Sequence, residues 1–170
     1  MKYLLVGINA SYSHTCLAVR SICEFVKKQQ KDAQNGADFG KNDIEFVEFT
    51  INQPEKEVLR GIYEQHPDYV LFATYIWNAD YTEKIISDLK KILPDVIIGA
   101  GGPEFGYAPE VYFSKISELD FIISGEGEVV VSQIVRYGRI MQLEGVREYL
   151  VDIDNDTKNP ALHSVLYSEN

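Results

Sequence analysis

The sequence predicts an α/β domain: a doubly wound, five-stranded parallel sheet with helices on both faces. Three observations predict it. Short apolar runs alternate with stretches of helical periodicity through residues 3–137. Each run is followed by a helix pattern rather than a tight turn, and β-α units in series build parallel sheets through right-handed crossovers. The run Val96-Ile97-Ile98 stops abruptly in Gly99-Ala100-Gly101-Gly102-Pro103-Glu104, where glycine permits a sharp turn and a ligand's close approach to bare backbone. Five such strands give the order 2-1-3-4-5. Ligands bind such sheets beyond the carboxyl ends of the strands, at the switch point between strands one and three.

Residues 3–8 form the expected first strand, and residues 16–28 carry Leu17, Val19, Ile22, Cys23, Phe25 and Val26 at helical spacing. Gly36 and Gly40 mark a surface loop over residues 31–41, and residues 44–49 alternate as a half-exposed strand near an edge. Pro54 suits the first turn of a second helix reaching about Gln65, with Val58, Leu59 and Ile62 inward. Residues 69–73 form a third, buried strand. Asp80 and Glu83 are spaced as a capping pair opening a helix through Leu93, which Pro94 stops. Residues 96–99 form the fourth strand, 109–116 a short helix, 119–123 the fifth strand and 126–137 the last helix. Beyond Gly138 the pattern is lost. That stretch reads either as an extra strand and linker or as the start of a further unit, and Asp152-Ile-Asp154-Asn155-Asp156 reads as a solvated turn, since it lacks the glycine and distal glutamate of a calcium loop.

The 170 residues suit one α/β domain over 1–137 with an extension over 138–170. A net charge of −10 is poor for nucleic-acid phosphates and for anionic membrane surfaces. No apolar run approaches the ~20 residues of a membrane span, and the N-terminus lacks a signal-peptide pattern, so a cytoplasmic protein is expected. Cys16 and Cys23 fall on one helical face, ~10 Å apart, too far for a disulfide, and are expected as reduced core residues.

Three loops meet at the ligand edge: residues 9–14, 74–81 and 101–107. They hold Tyr12, Tyr75, Trp77, Tyr81, Phe105 and Tyr107, six of the twenty aromatic residues, where two or three would fall by chance. Rings gathered beside bare glycine backbone suit a large, flat, partly apolar ligand; the alternative is that several fold under as lids on the core. The phosphate-loop pattern is absent, and the strand ends carry Asn9 and Thr74 where a phosphoacceptor domain needs acids. Gly125-Glu126-Gly127-Glu128 lacks the third glycine of a dinucleotide fingerprint, and its carboxylates oppose a pyrophosphate. His14 has no nearby Cys, Asp or Glu partner in sequence, and no nucleophile–base pair is visible. No catalytic residues and no metal ligands are expected.

Leu4-Leu-Val-Gly-Ile-Asn9-Ala, Asp68-Tyr-Val-Leu-Phe-Ala73-Thr74, Gly99-Ala-Gly101-Gly102-Pro103-Glu104 and Leu119-Asp120-Phe-Ile-Ile-Ser-Gly125-Glu126-Gly127-Glu128 together resemble the cobalamin-binding domain that precedes the catalytic barrel in many radical S-adenosylmethionine enzymes. The resemblance covers about residues 2–136 and implies a flavodoxin-like, Rossmann-like fold. It implies a corrin ring across the strand edge, with its nucleotide tail in a groove beside the sheet. Asn9, Ser11, Ala73, Thr74, Gly101 and Gly102 would belong to the tail groove. The ring would lie against loops carrying Tyr75, Trp77, Glu104, Phe105 and Glu126, with Gly125 beside them. The Asp-x-His-x-x-Gly pattern of other cobalamin domains is absent: Asn9-Ala-Ser11-Tyr-Ser-His14 puts the histidine off the matching position, so either cobalt takes no ligand from this chain, as the resemblance to the radical enzymes allows, or the domain has lost its cofactor. No cysteine triplet for a [4Fe–4S] cluster occurs. The resemblance therefore implies that the cluster, S-adenosylmethionine and the radical chemistry belong to a catalytic domain of the same polypeptide beyond residues 138–170. The alternatives are a flavodoxin-like domain binding a flavin or nucleotide, and a cofactor-free scaffold.

Overall fold

The computed structural model describes residues 1–33, 39–137, 148–152 and 162–167. Five β-α units run in order: β1 (Lys2–Asn9), α1 (Leu17–Asp32), β2 (Asp43–Thr50), α2 (Glu55–Tyr63), β3 (Tyr69–Ala73), α3 (Ala79–Ile92), β4 (Ile97–Gly101), α4 (Pro109–Lys115), β5 (Phe121–Ile123) and α5 (Gly127–Tyr137). Two further strands, β6 (Glu148–Asp152) and β7 (Leu162–Tyr167), follow. The parallel core has the expected order, β2-β1-β3-β4-β5, and the sheet continues through β7 to β6. Both added strands pair antiparallel, β7 on β5 and β6 on β7. Residues 153–156 of the expected acidic turn lie outside the described residues, as does the centre of the loop expected over 31–41. Among the described residues no helix is long and apolar enough to cross a membrane.

Alternation along buried strands feeds two cores. Tyr3 and Leu5 of β1 face α1 and α5 and join Val19, Cys23, Val26, Val130 and Val135. Leu4, Val6 and Ile8 face the opposite layer with Val58, Ile62, Ile85, Ile86 and Leu89. Tyr3 stacks on Tyr69, with which it is in register, at 4.5 Å. The helices change faces between β1 and β3, opening a crevice at the strand ends there.

Helix starts depart from expectation in two places. The Asp80–Glu83 capping pair does not form: α3 starts at Ala79 with Asn78 at its N-cap and no side-chain cap bond. Asn78 instead faces inward, where its amide donates to Ile8 O (2.8 Å) and Ala73 O (3.1 Å) and its Oδ1 accepts from Tyr75 N (2.8 Å). Three backbone groups at two strand ends outcompete the helix for that amide. At α1 a carboxylate from another strand takes the cap's part, Glu48 accepting from Cys16 N. Cys16 precedes the helix rather than lying within it, and both cysteines are free and buried. The fourth strand runs on to Gly101, because Ala73 pairs with it in register.

Candidate functional site

At the carboxyl ends of β1, β3, β4 and β5 the chain leaves two recesses. One is an apolar groove of about 150 Å³ between the sheet and helices α1 and α5, walled by Leu5, Leu71 and Ile123 below and Val19, Ile22 and Val131 above. The other, of about 440 Å³, lies over the loop after β1 and is lined by Asn9, Ala10, His14, Cys16, Tyr75 and Trp77. Tyr75 lines both.

The turn after β4 is built around Thr74. Thr74 N and Oγ1 both donate to Gly101 O (2.7 and 2.8 Å), and Thr74 Oγ1 accepts from Phe105 N (3.1 Å). Glu104 N donates to Thr74 O (3.3 Å), and Gly106 N to Gly102 O (2.9 Å). Gly102 has φ +102°, and a Cβ there would lie 2.6 Å from Thr74 O. Only glycine combines that backbone angle with that approach. The glycine run is therefore needed for the turn itself, and it leaves the backbone at the mouth of the groove bare.

The sequence-expected residues separate into three groups. Ala73, Tyr75, Gly101, Gly102 and Gly125 line the apolar groove, and Asn9, Tyr75 and Trp77 the second recess. Trp77 is 48% exposed and stacks on Tyr75 with ring centroids 4.5 Å apart, a flat aromatic surface at the strand edge. Thr74 and Phe105 form the second group. Both are fully buried, and Phe105 stacks on Tyr112 at 3.9 Å, so their side chains support the turn and do not lie on its surface. The lid alternative thus describes Phe105. It also describes Tyr81, whose hydroxyl donates to Gln53 O (2.8 Å), whereas Tyr12 and Tyr107 are exposed. The third group sits on the rim. Ser11 Oγ lies 2.7 Å from His14 Nδ1, Glu126 is exposed, and Glu104 Oε1 accepts from the Tyr112 hydroxyl at 2.6 Å.

Two tyrosine hydroxyls at this edge are held in their neutral form. Burial, with the neighbouring Cys16 thiol, pushes the Tyr75 hydroxyl up to about 12. The bond to Glu104 does the same for Tyr112, again to about 12. Burial raises the Glu48 carboxyl, but bonds from Arg20, Cys16 N and Asn9 outweigh it and hold the group below its ordinary value. Glu48 thereby ties the end of β1 and the start of α1 to β2. Glu48, Asn78 and Tyr112 are not singled out by the sequence pattern. Asn78 alone carried a signal, as a cap-type residue next to a helix start.

A ring-walled recess and an apolar groove thus meet at the switch point of a doubly wound sheet, the place where ligands bind in such folds. The family model described as the B12 binding domain matches residues 3–135, and the chain belongs to that family, whose cofactor is cobalamin. The cobalamin-dependent radical SAM methyltransferase TokK of Streptomyces tokunonensis is 33% identical over 82 residues, 48% of this chain and 12% of that protein. The 2-(S-pantetheinyl)-carbapenam-3-carboxylate methyltransferase of Streptantibioticus cattleyicolor is 28% identical over 80 residues, 47% of this chain and 12% of that protein. The aligned stretches thus cover about an eighth of each relative. The cobalamin-dependent S-adenosylmethionine radical enzyme OxsB, solved with aqua-cobalamin and S-adenosylmethionine bound, superposes with a TM-score of 0.66 at 14% identity, covering 99% of this chain and 22% of OxsB. That likeness is one of fold.

Proposed function

We propose that this chain is the cofactor-holding module of a cobalamin-dependent radical S-adenosylmethionine enzyme. The corrin ring lies on the Tyr75–Trp77 side of the strand edge, and the nucleotide tail enters the groove between α1 and α5. Both turn glycines and the stacked pair support this reading, and the groove is the single observation that carries it. An apolar cavity of ~150 Å³ accepts a benzene-sized ring, and this groove has exposed residues, Pro103 and Gly125, at its mouth. The residues present therefore fit one six-membered ring of an aromatic base, with the rest of the tail at the open mouth.

When bound, cobalamin supplies a cobalt centre capable of alkyl-transfer and redox chemistry. The chain's own residues bind and orient. Leu5, Val19, Leu71 and Val131 exclude water from the groove, Gly101 and Gly102 give bare backbone at its edge, and Tyr75 and Trp77 offer ring faces to the corrin. The [4Fe–4S] cluster, S-adenosylmethionine and catalysis belong to a further domain of the same polypeptide, with residues 138–170 leading toward it. In keeping with this, the matched segments are 12% of each relative.

Titration of the full chain with hydroxocobalamin, followed by visible spectrum and melting temperature, tests the proposal. A ligand at a hundred times its Kd stabilises by ~2.7 kcal/mol, which raises Tm by about 5–10 °C for a chain of this size. No spectral change and no thermal shift would leave the cofactor-free scaffold reading. A yellow fluorescent protein binding flavin in preference to cobalamin would replace it with the flavodoxin-like one.

A further inference from the structure

We infer that the groove selects the base of the corrinoid's nucleotide tail, admitting a benzimidazole-type base and rejecting a purine such as adenine. This rests on the cofactor placement proposed above and goes beyond it by naming which corrinoids the site accepts.

The selection follows from what the groove cannot offer. Among the described residues lining it, only Tyr75 and Glu128 have polar side-chain atoms. Both are engaged at its edges. Glu128 Oε1 accepts from Ser21 Oγ (2.9 Å) in an exposed bond that ties α5 to α1, and the Tyr75 hydroxyl is hydrogen-bonded to Cys16, which lines the second recess. The floor is equally committed. β1 and β3 are flanked by strands on both sides, so their backbone groups serve the ladders. Past the ladder, Ala73 O accepts from Asn78 Nδ2, and Gly101 O already accepts two bonds from Thr74. Bare glycine backbone is confined to the mouth, at Gly102 and Gly125, and the side chains of the inner surface are Leu5, Val19, Ile22, Leu71, Ile123 and Val131.

A benzimidazole places a carbocyclic edge, with its methyl groups, against those side chains, where apolar contact is favourable. An adenine places an exocyclic amine and ring nitrogens there instead. Buried polar atoms without partners are strongly disfavoured, and a site that cannot pair them discriminates against the ligand that carries them. Ile22 closes over Gly127, where even a Cβ would lie 2.7 Å from Ile22 Cδ1, so the roof is sealed at that point.

The test is a panel of three corrinoids titrated into the full chain: hydroxocobalamin, its analogue carrying adenine as the lower base, and cobinamide, which lacks the nucleotide. The expected result is that the adenine analogue binds at least about tenfold more weakly than hydroxocobalamin, 1.4 kcal/mol at room temperature, and little better than cobinamide. Hydroxocobalamin should bind with its base off cobalt, seen in the visible spectrum, because a base in the groove cannot also ligate the metal. Equal or tighter binding of the adenine analogue overturns base selection while leaving the cofactor placement standing. Equal binding of cobinamide and hydroxocobalamin overturns selection by showing that the groove takes no tail. Failure of all three to bind overturns both the placement and the selection.

Discussion

Replacing Gly102 by alanine tests the architecture of the strand edge most directly. The residue sits at φ +102°, outside the region that residues with a Cβ occupy readily, which alone costs about 1–3 kcal/mol. The new Cβ would also lie 2.6 Å from Thr74 O and 3.0 Å from Thr74 N. Both are backbone atoms of the segment leaving β3, so no side-chain rotation relieves the collision. The turn must withdraw from β3, weakening the bonds Thr74 N–Gly101 O and Glu104 N–Thr74 O, each contributing about 0.5–1.5 kcal/mol. The total is about 2–6 kcal/mol, a large part of a domain's stability, and lowers Tm by about 4–24 °C. Gly40 is the matched control: its φ is +54° and no atom of the described residues lies within 4 Å of a Cβ built there. G40A therefore loses only about 1 kcal/mol, from backbone preference. Calorimetry or circular-dichroism melting of both variants decides the matter. A G102A midpoint within about 2 °C of the wild type, or equal losses for the two variants, would refute the collision reasoning.

Thr74→Val keeps the shape but removes the oxygen that Phe105 N and Gly101 O share; leaving a buried N–H unpaired should lower stability in urea denaturation by about 1–3 kcal/mol. Glu48→Gln tests the tie between β2 and α1. Because the folded state holds the Glu48 carboxyl below its ordinary value, its charge stabilises the fold above a pH of about 4.3. That contribution is lost as pH falls from there through the lower folded-state value. Melting curves should therefore show E48Q less stable than wild type at pH 7, with the gap closing below pH 4; a pH-independent gap would contradict this. Trp77→Ala removes a half-exposed ring with few core contacts, so hydroxocobalamin affinity measured by spectral titration should fall about tenfold while Tm moves by less than about 3 °C.

The parallel core was legible because each of its strands carries its own signal. Residues 69–73 are apolar on both faces and bounded by Pro67-Asp68 and Thr74, and the strand matches without offset. Where a boundary depends on a neighbour, sequence alone placed it wrongly. The glycines after Ile98 look like a strand end, yet pairing with β3 carries the ladder to Gly101. Asp80 and Glu83 have capping spacing, but the choice was settled by Asn78, drawn inward by the ends of β1 and β3. The antiparallel β6–β7 addition pairs Glu148 with Leu166 across an intervening segment, a non-local contact with no local periodicity to announce it. Within the site, the glycine turn and the aromatic edge could be read. The inward fate of Phe105 could not, since an aromatic residue beside glycine serves a lid or a surface equally well. Glu48 looks like an ordinary polar residue of an edge strand until Cys16, Asn9 and Arg20 converge on it.

Tyr75 is a party wall, with one recess on either side of it. A ligand with a foot in each compartment must straddle that ring, and seating the first foot fixes the partition against which the second closes. Once the first end is anchored, the other arrives as an intramolecular event at high effective concentration. Cutting such a ligand in two should therefore forfeit more affinity than the two halves, weighed separately, would account for.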